Sequence, residues 1–320
     1  MLTGNGVNST NDKAFLFAIN AINGTLVKKI DTTVGSSNGL INVRGWDFDS
    51  NATVDAVYGG DLKGNLWKFD LSASSGSTWT VNTTPLFQAK DASGNAQPIT
   101  GGIRVGISTA TSTYGKRFIF FGTGSYLTAS DSNNLSTQTL YGIIDQGSAI
   151  TSRTSLRQRT IASVATETVG TTTYTVRTFS TASSGDMVGK SGWYLDLLTP
   201  PAPGTQQGER IVATPQLLSS KVLLVPSIVP LSDPCLPGGS GWLNVLDPYS
   251  GSVVSTEFFT GLGPVDSIGT VGMPGSSTVL DTGNGGVELV TGKSNTSVNT
   301  NAGNTGQNSG RISWRELLNQ

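Results

Sequence analysis

The stretch Val57-Tyr58-Gly59-Gly60-Asp61-Leu62-Lys63-Gly64-Asn65-Leu66-Trp67-Lys68-Phe69-Asp70 decides the fold. Val57-Tyr58 reads as strand, and Leu66–Asp70 alternates apolar and polar residues as a second strand does. A Ser/Gly turn then leads to Trp79-Thr80-Val81. Related units recur along the chain. Phe15-Leu16-Phe17-Ala18-Ile19 passes through Asn20 and Asn23-Gly24 into Thr25-Leu26-Val27, a strand, tight turn and strand. Leu140-Tyr141-Gly142-Ile143-Ile144-Asp145 runs into Gln146-Gly147, and Trp242–Asp247 into Pro248, Gly251 and Val253-Val254. The turn-entry residues are Asn20, Asp70, Asp145 and Asp247. Their first and last separations lie near one and two units of a propeller-blade period of about 40–50 residues. The middle one does not fit, which implies an irregular blade or an insertion. Helical periodicity is scarce, so the expected class is all-β.

Composition excludes several functions. The 320 residues carry 20 Lys plus Arg, 21 Asp plus Glu, one Cys and no His. Charged residues are 13%, against about 25% in an ordinary soluble domain. A net charge of −1 lacks the basic footprint of a nucleic-acid binder. No apolar run approaches the roughly 18 residues of a membrane span. Without histidine there is no Ser-His-Asp triad, no Cys-His pair and no ordinary zinc site. One cysteine forms no internal disulfide. Few charges among many small polar residues lean towards β-structure outside the cell. Met1-Leu2-Thr3-Gly4-Asn5-Gly6 lacks the basic start and apolar stretch of a signal peptide. An exported protein would carry this chain as a piece of something longer.

Gly59-Gly60 and Gly122-Thr123-Gly124 follow apolar runs. A phosphate cradle needs a helix next, and neither place has one. They are read as glycines where strands approach closely or bulge. Residues 128–186 are expected to be an inserted, elaborated region with a projecting hairpin over Thr166–Thr171 and Thr172–Val176. Arg153, Arg157 and Arg159 cluster ahead of it with no acid nearby in sequence, as a solvated face or a contact for an acidic partner. Residues 294–310, rich in Asn, Ser, Thr and Gly, read as a flexible loop. Arg311–Leu318 could tie the chain end into the first blade. Asp233-Pro234-Cys235 is turn chemistry around a lone thiol, buried or paired outside this chain.

One run carries chemistry: Asp47-Phe48-Asp49-Ser50-Asn51-Ala52-Thr53-Val54-Asp55. Oxygen-bearing side chains stand at relative positions 1, 3, 5 and 9, and Thr53 at position 7 can add its main-chain carbonyl. Calcium takes six to eight oxygen ligands at about 2.3–2.6 Å, and alternate residues of a wound loop can face one centre. The run resembles the first nine positions of an EF-hand loop, without the bidentate Glu or a following helix. Position 6, usually Gly, is Ala52. If the loop needs a positive φ there, alanine costs about 1 kcal/mol. The alternative is an acidic surface turn that holds no ion.

These segments resemble the C-terminal propeller of the PilY family, type IV pilus biogenesis factors and tip adhesins. The resemblance is carried by Trp46–Asn51, Asp55–Leu71, Pro85-Leu86-Phe87, Gln97–Thr100, Phe121–Leu127, Tyr141–Asp145, Gly192–Leu197, Gly208-Glu209-Arg210, Asp233-Pro234-Cys235, Gly241-Trp242-Leu243 and Gly310–Leu317. It runs in order over nearly the whole chain. It implies one domain over 1–320, a modified quinoprotein-like β-propeller of about seven blades with inserted hairpins and long loops. It also implies a much longer secreted protein with a variable N-terminal region. The family's calcium loop matches Asp47, Asp49, Asn51, Thr53 (main chain) and Asp55. Further implications are a calcium-controlled balance of pilus extension and retraction, minor pilins as partners at the pilus tip, adhesion to host or abiotic surfaces, and an extracellular location. Some members carry Arg-Gly-Asp; here Ser184-Gly185-Asp186 is the nearest run, so integrin binding does not transfer.

Two other classes compete with this non-enzymatic reading. A quinone-dependent dehydrogenase on a similar propeller needs a cofactor pocket, a metal and a carboxylate base, but no adjacent cysteines or Trp-docking repeat are present. A glycan- or protein-binding propeller unrelated to pili would use aromatic residues near loops, such as Trp46, Trp79 and Tyr126.

Overall fold

The computed structural model describes residues 1–10, 12–231 and 238–306. They form five β-sheets and four short 3₁₀ turns. The first sheet is β1 (Leu2–Gly4), β2 (Lys13–Ile19) and β3 (Leu26–Gly35). The second is β4 (Leu40–Trp46), β5 (Ala56–Asp61), β6 (Asn65–Asp70) and β7 (Thr80–Val81), with β8 (Phe87–Gln88) also on β6. β9 (Arg104–Ile107), β10 (Arg117–Gly122), β11 (Thr139–Ile144) and β12 (Arg157–Arg159) follow. Next come the hairpin β13 (Ile161–Val169) and β14 (Thr172–Phe179), and then β15 (Gly192–Asp196). The third sheet has the order β12-β15-β11-β10-β9, with β12 parallel to β15. β16 (Gln216–Leu218), β17 (Val222–Val229), β18 (Ser240–Leu246) and β19 (Ser267–Val271) join the hairpin in the fourth sheet, ordered β13-β14-β19-β18-β17-β16. β20 (Pro274–Gly283), β21 (Gly286–Lys293) and β22 (Val298–Asn304) form the fifth.

The sheets pack face to face in chain order. Successive side chains of a strand point to opposite faces, so a strand covered on both sides reads as an unbroken apolar run. In β10, Ile119 and Phe121 join Tyr58 and Leu66 in the core between the second and third sheets. Phe118 and Phe120 turn the other way, to Leu223, Val225 and Leu246 of the fourth. In β17, Val222 and Leu224 meet Val287 and Leu289 of the fifth. Ala14, Leu16 and Ile30 pack on Val57, Trp67 and Phe69 between the first two. Glycine marks the tightest approach: a Cβ on Gly122 would stand 2.2 Å from the Ile211 side chain. The expected role of these glycines is met.

An all-β chain of recurring strand–turn–strand units is what the sequence predicts, and the described residues are organised as sheets. The family's count of about seven blades stays an expectation beside the five sheets of the described residues. Residues 128–186 are not one separate elaboration. Thr139–Ile144 is a central strand of the third sheet, paired with β10 on one side and β15 on the other, and all six of its residues are buried. The hairpin is present, with Val169 opposite Thr172. Val298–Asn304, expected within a flexible loop at 294–310, is instead a strand on β21. Asn and Thr are compatible with it because its alternate residues face solvent. Val253-Val254 packs on the core but is not strand. Arg311–Leu318 and Asp233-Pro234-Cys235 lie outside the described residues.

Candidate metal centre

β4 and β5 pair antiparallel with Trp46 opposite Ala56, so residues 47–55 are their connection. The Asp55 N–H donates to the Trp46 carbonyl (3.0 Å) and closes the loop at its base. Inside it the chain hydrogen-bonds to its own acids. Asp47 accepts from the N–H groups of Ser50 (Oδ1, 2.7 Å) and Ala52 (Oδ2, 2.8 Å). Asp49 accepts from Asn51 N–H (3.1 Å) and Asn51 Nδ2 (3.0 Å). Asp55 Oδ2 accepts from the Phe48 N–H (2.5 Å). Ser50 and Ala52 have φ of 61° and 68°, so alternate residues are wound left-handed and the odd-numbered side chains share one side. Ala52 meets the strain condition stated from the sequence, at a cost of about 1 kcal/mol.

The outcome is a cluster: one carboxylate oxygen each from Asp47, Asp49 and Asp55 lie within 4.8 Å of one another. Asn51 is beside them, but its Oδ1 accepts from Thr53 N–H (2.8 Å) and from the Thr53 hydroxyl. The donor set is all hard oxygen, which fits calcium or magnesium and not a soft metal. Among the described residues no ion pair reaches these acids. Desolvation pushes the Asp47 carboxyl up, but the N–H groups of Ala52, Ser50, Asn51 and Asp49 outweigh it and hold the group below its usual range.

The two cations beside Phe48 are committed elsewhere. Lys68 Nζ (2.7 Å), Arg117 NH1 (3.2 Å) and the Tyr58 hydroxyl (2.6 Å) all converge on Asp145 Oδ2. That buried acid pushes the Tyr58 hydroxyl far up in pKa, after desolvation itself. Phe48, the second loop residue, lies against this group, 3.9 Å from the Arg117 guanidinium and 5.4 Å from Lys68 Nζ. From the sequence, Asp145 reads only as a turn-entry residue; nothing local signals a partnership across 77 positions.

The remaining singled-out residues fall to structural roles. Arg153 pairs with Asp196, and Arg157 (3.8 Å) and Arg159 (2.7 Å) with Asp186. The cluster is therefore neither a solvated face nor a free basic patch; its acids arrive from beyond the hairpin. Trp46 and Trp79 are partly buried against core clusters, and Tyr126 is exposed.

Comparison with known proteins decides the family. The profile described as the PilY1 beta-propeller domain matches residues 1–182. The chain belongs to the PilY1 β-propeller family. A PilY1 homolog of Xylella fastidiosa, named a type IV pilus biogenesis factor, is 39% identical over 268 residues, covering 78% of this chain and 17% of that protein. Type IV pilus biogenesis factor PilY1 of Pseudomonas aeruginosa is 34% identical over 294 residues, covering 81% of this chain and 25% of its own length. The chain thus spans a quarter or less of these relatives. The crystal structure of the Pseudomonas aeruginosa PilY1 C-terminal domain superposes with a TM-score of 0.81 at 29% identity, covering 96% of this chain and 69% of that one. The five stacked sheets are therefore part of a PilY1-type β-propeller, as the PilY resemblance implied.

Proposed function

We propose that this chain is the calcium-binding, non-enzymatic propeller module of a type IV pilus biogenesis factor. The observation that carries the reading is the convergence of Asp47, Asp49 and Asp55 within 4.8 Å, with no cation of the described residues paired to them. Three carboxylates this close repel one another unless a positive charge is shared among them. Asp47, Asp49 and Asp55, with the Asn51 amide and the Thr53 main-chain oxygen, would hold the ion. Bound calcium supplies charge neutralisation and a fixed oxygen geometry. The protein's own part is mechanical. Phe48 donates its N–H to Asp55 and lays its ring on Arg117. A rigid loop therefore fixes Phe48 against the Lys68–Arg117–Asp145 group, and a repelling loop releases it.

The family names support a pilus-associated role, and the reading extends it. The module sits at the cell surface on the extracellular pilus tip, takes minor pilins as partners and contacts host or abiotic surfaces. Calcium in the loop biases extension against retraction. No helix of the described residues is long and apolar enough to cross a membrane. The test is calorimetric titration of Ca²⁺ into the protein and into Asp55→Ala. A saturable one-site heat lost in the variant supports the reading, and equal heats from both reject it. Capture of purified minor pilins with and without Ca²⁺ tests the partner separately.

A further inference from the structure

A second feature lies away from the acidic loop. Where β14 leaves β19 after the pairs Val176–Ile268 and Arg177–Ser267, a cleft of about 600 Å³ opens between the hairpin, β18–β19 and β22. That volume lies within the ~300–1,000 Å³ of small-molecule sites. We propose that this cleft binds a neutral saccharide.

Three observations carry the proposal. First, its walls combine aromatic surface, from Trp242 and Tyr174, with amides and hydroxyls; Lys293 is its one charged residue. Lys293 Nζ donates to Asn299 Oδ1 (2.9 Å) and keeps further N–H donors that a sugar hydroxyl oxygen can accept. Sugar rings offer the complement: apolar C–H faces for an aromatic ring and hydroxyls for amides. Second, Asn301, a lining residue, is 9% exposed, and its Oδ1 is buried without a hydrogen bond. A buried acceptor left unpaired costs about 1–3 kcal/mol, which a ligand hydroxyl would recover once the Asn301 side chain turns into the cleft.

Third, the aromatic platform is set before any ligand arrives. The Arg177 guanidinium covers the Trp242 ring at 3.6 Å. Arg177 is itself fully buried and donates from both terminal nitrogens to Glu209 (2.9 and 2.8 Å). Ser227 donates to Glu209 (2.6 Å), Asn244 to Ser227 (3.0 Å) and Ser267 to Asn244 (2.8 Å). A network tied across β14, β17, β18 and β19 thus holds the indole from behind, which lowers the ordering cost of binding.

The test is NMR titration of the ¹⁵N-labelled chain with maltose, cellobiose, lactose and N,N′-diacetylchitobiose at millimolar concentration. The chain has six tryptophans, and Trp242→Phe assigns the indole signal. The expected result is a saturable shift of the Trp242 indole with at least one disaccharide. Binding should weaken tenfold or more in Trp242→Ala and Asn301→Ala, and severalfold in Gln207→Ala. Gln207 is an exposed lining residue, so that variant keeps the test valid if a core change unfolds the sheet. No shift with any of the four sugars, or equal binding by all variants, overturns the proposal. Saturable binding of an extended Thr/Val peptide along Val298–Asn301, with no response to sugars, also overturns it.

Discussion

Asp61 and the 47–55 loop stand at opposite ends of β5 and treat negative charge in opposite ways. Asp61 is fully buried. Its carboxylate accepts from Lys63 N–H (2.9 Å), Asn65 N–H (2.9 Å), Asn65 Nδ2 (2.9 Å), Asn38 Nδ2 (3.0 Å) and Trp67 Nε1 (2.8 Å). Five donors saturate one acid, and no cation is required. In the loop, three acids share short local donors, keep oxygens within 4.8 Å of one another and have no ion pair among the described residues. A carboxylate whose lone pairs are filled by the fold is structural. Carboxylates that converge with capacity to spare are what the proposed calcium site would use.

The largest effect should come from the saturated acid. Asp61→Ala strands the Trp67, Asn65 and Asn38 donors in the core. Urea unfolding should show a loss of at least about 3 kcal/mol, equal with and without Ca²⁺. A loss that Ca²⁺ abolishes would erase the contrast. Next is the loop itself: Ca²⁺ at a hundredfold over its Kd should raise stability by about 2.7 kcal/mol, and Asp55→Ala should remove that increment.

Asp266 sharpens the comparison from the other side. It is buried, but among the described residues its carboxylate accepts only from the Phe179 N–H (2.8 Å). Desolvation outweighs that bond and pushes its pKa up to about 6. A raised acid penalises the fold above pH 6, and the penalty fades as pH falls towards the unfolded value. Wild type should gain about 2 kcal/mol on Asp266→Asn between pH 7.5 and 4.5 at ~1.36 kcal/mol per unit, read by thermal melts. A constant difference would contradict the single-donor account. The smallest effect is Ala52→Gly. It relieves the positive φ and should add up to about 1 kcal/mol, seen in urea midpoints without Ca²⁺.

Legibility followed locality. The Asp47, Asp49 and Asp55 convergence could be read because nine consecutive residues build it. The all-β class could be read because strand–turn units such as Leu66–Asp70 and Trp242–Asp247 are each built from consecutive residues. β22 could not, since Asn and Thr carry no apolar pattern and the strand is held by pairing with β21. The partners of Arg153, Arg157 and Arg159 were equally hidden. Asp186 and Asp196 reach them only after the hairpin is in place. The Arg177–Trp242 stack joins two strands distant in sequence and left no local trace.

The most direct measurement is a crystal structure grown in millimolar CaCl₂ with anomalous data. The account predicts one ion between Asp47, Asp49 and Asp55, with ligand distances of about 2.3–2.6 Å, and Phe48 ordered on Arg117. Ordered carboxylates with only water between them at that concentration would contradict it.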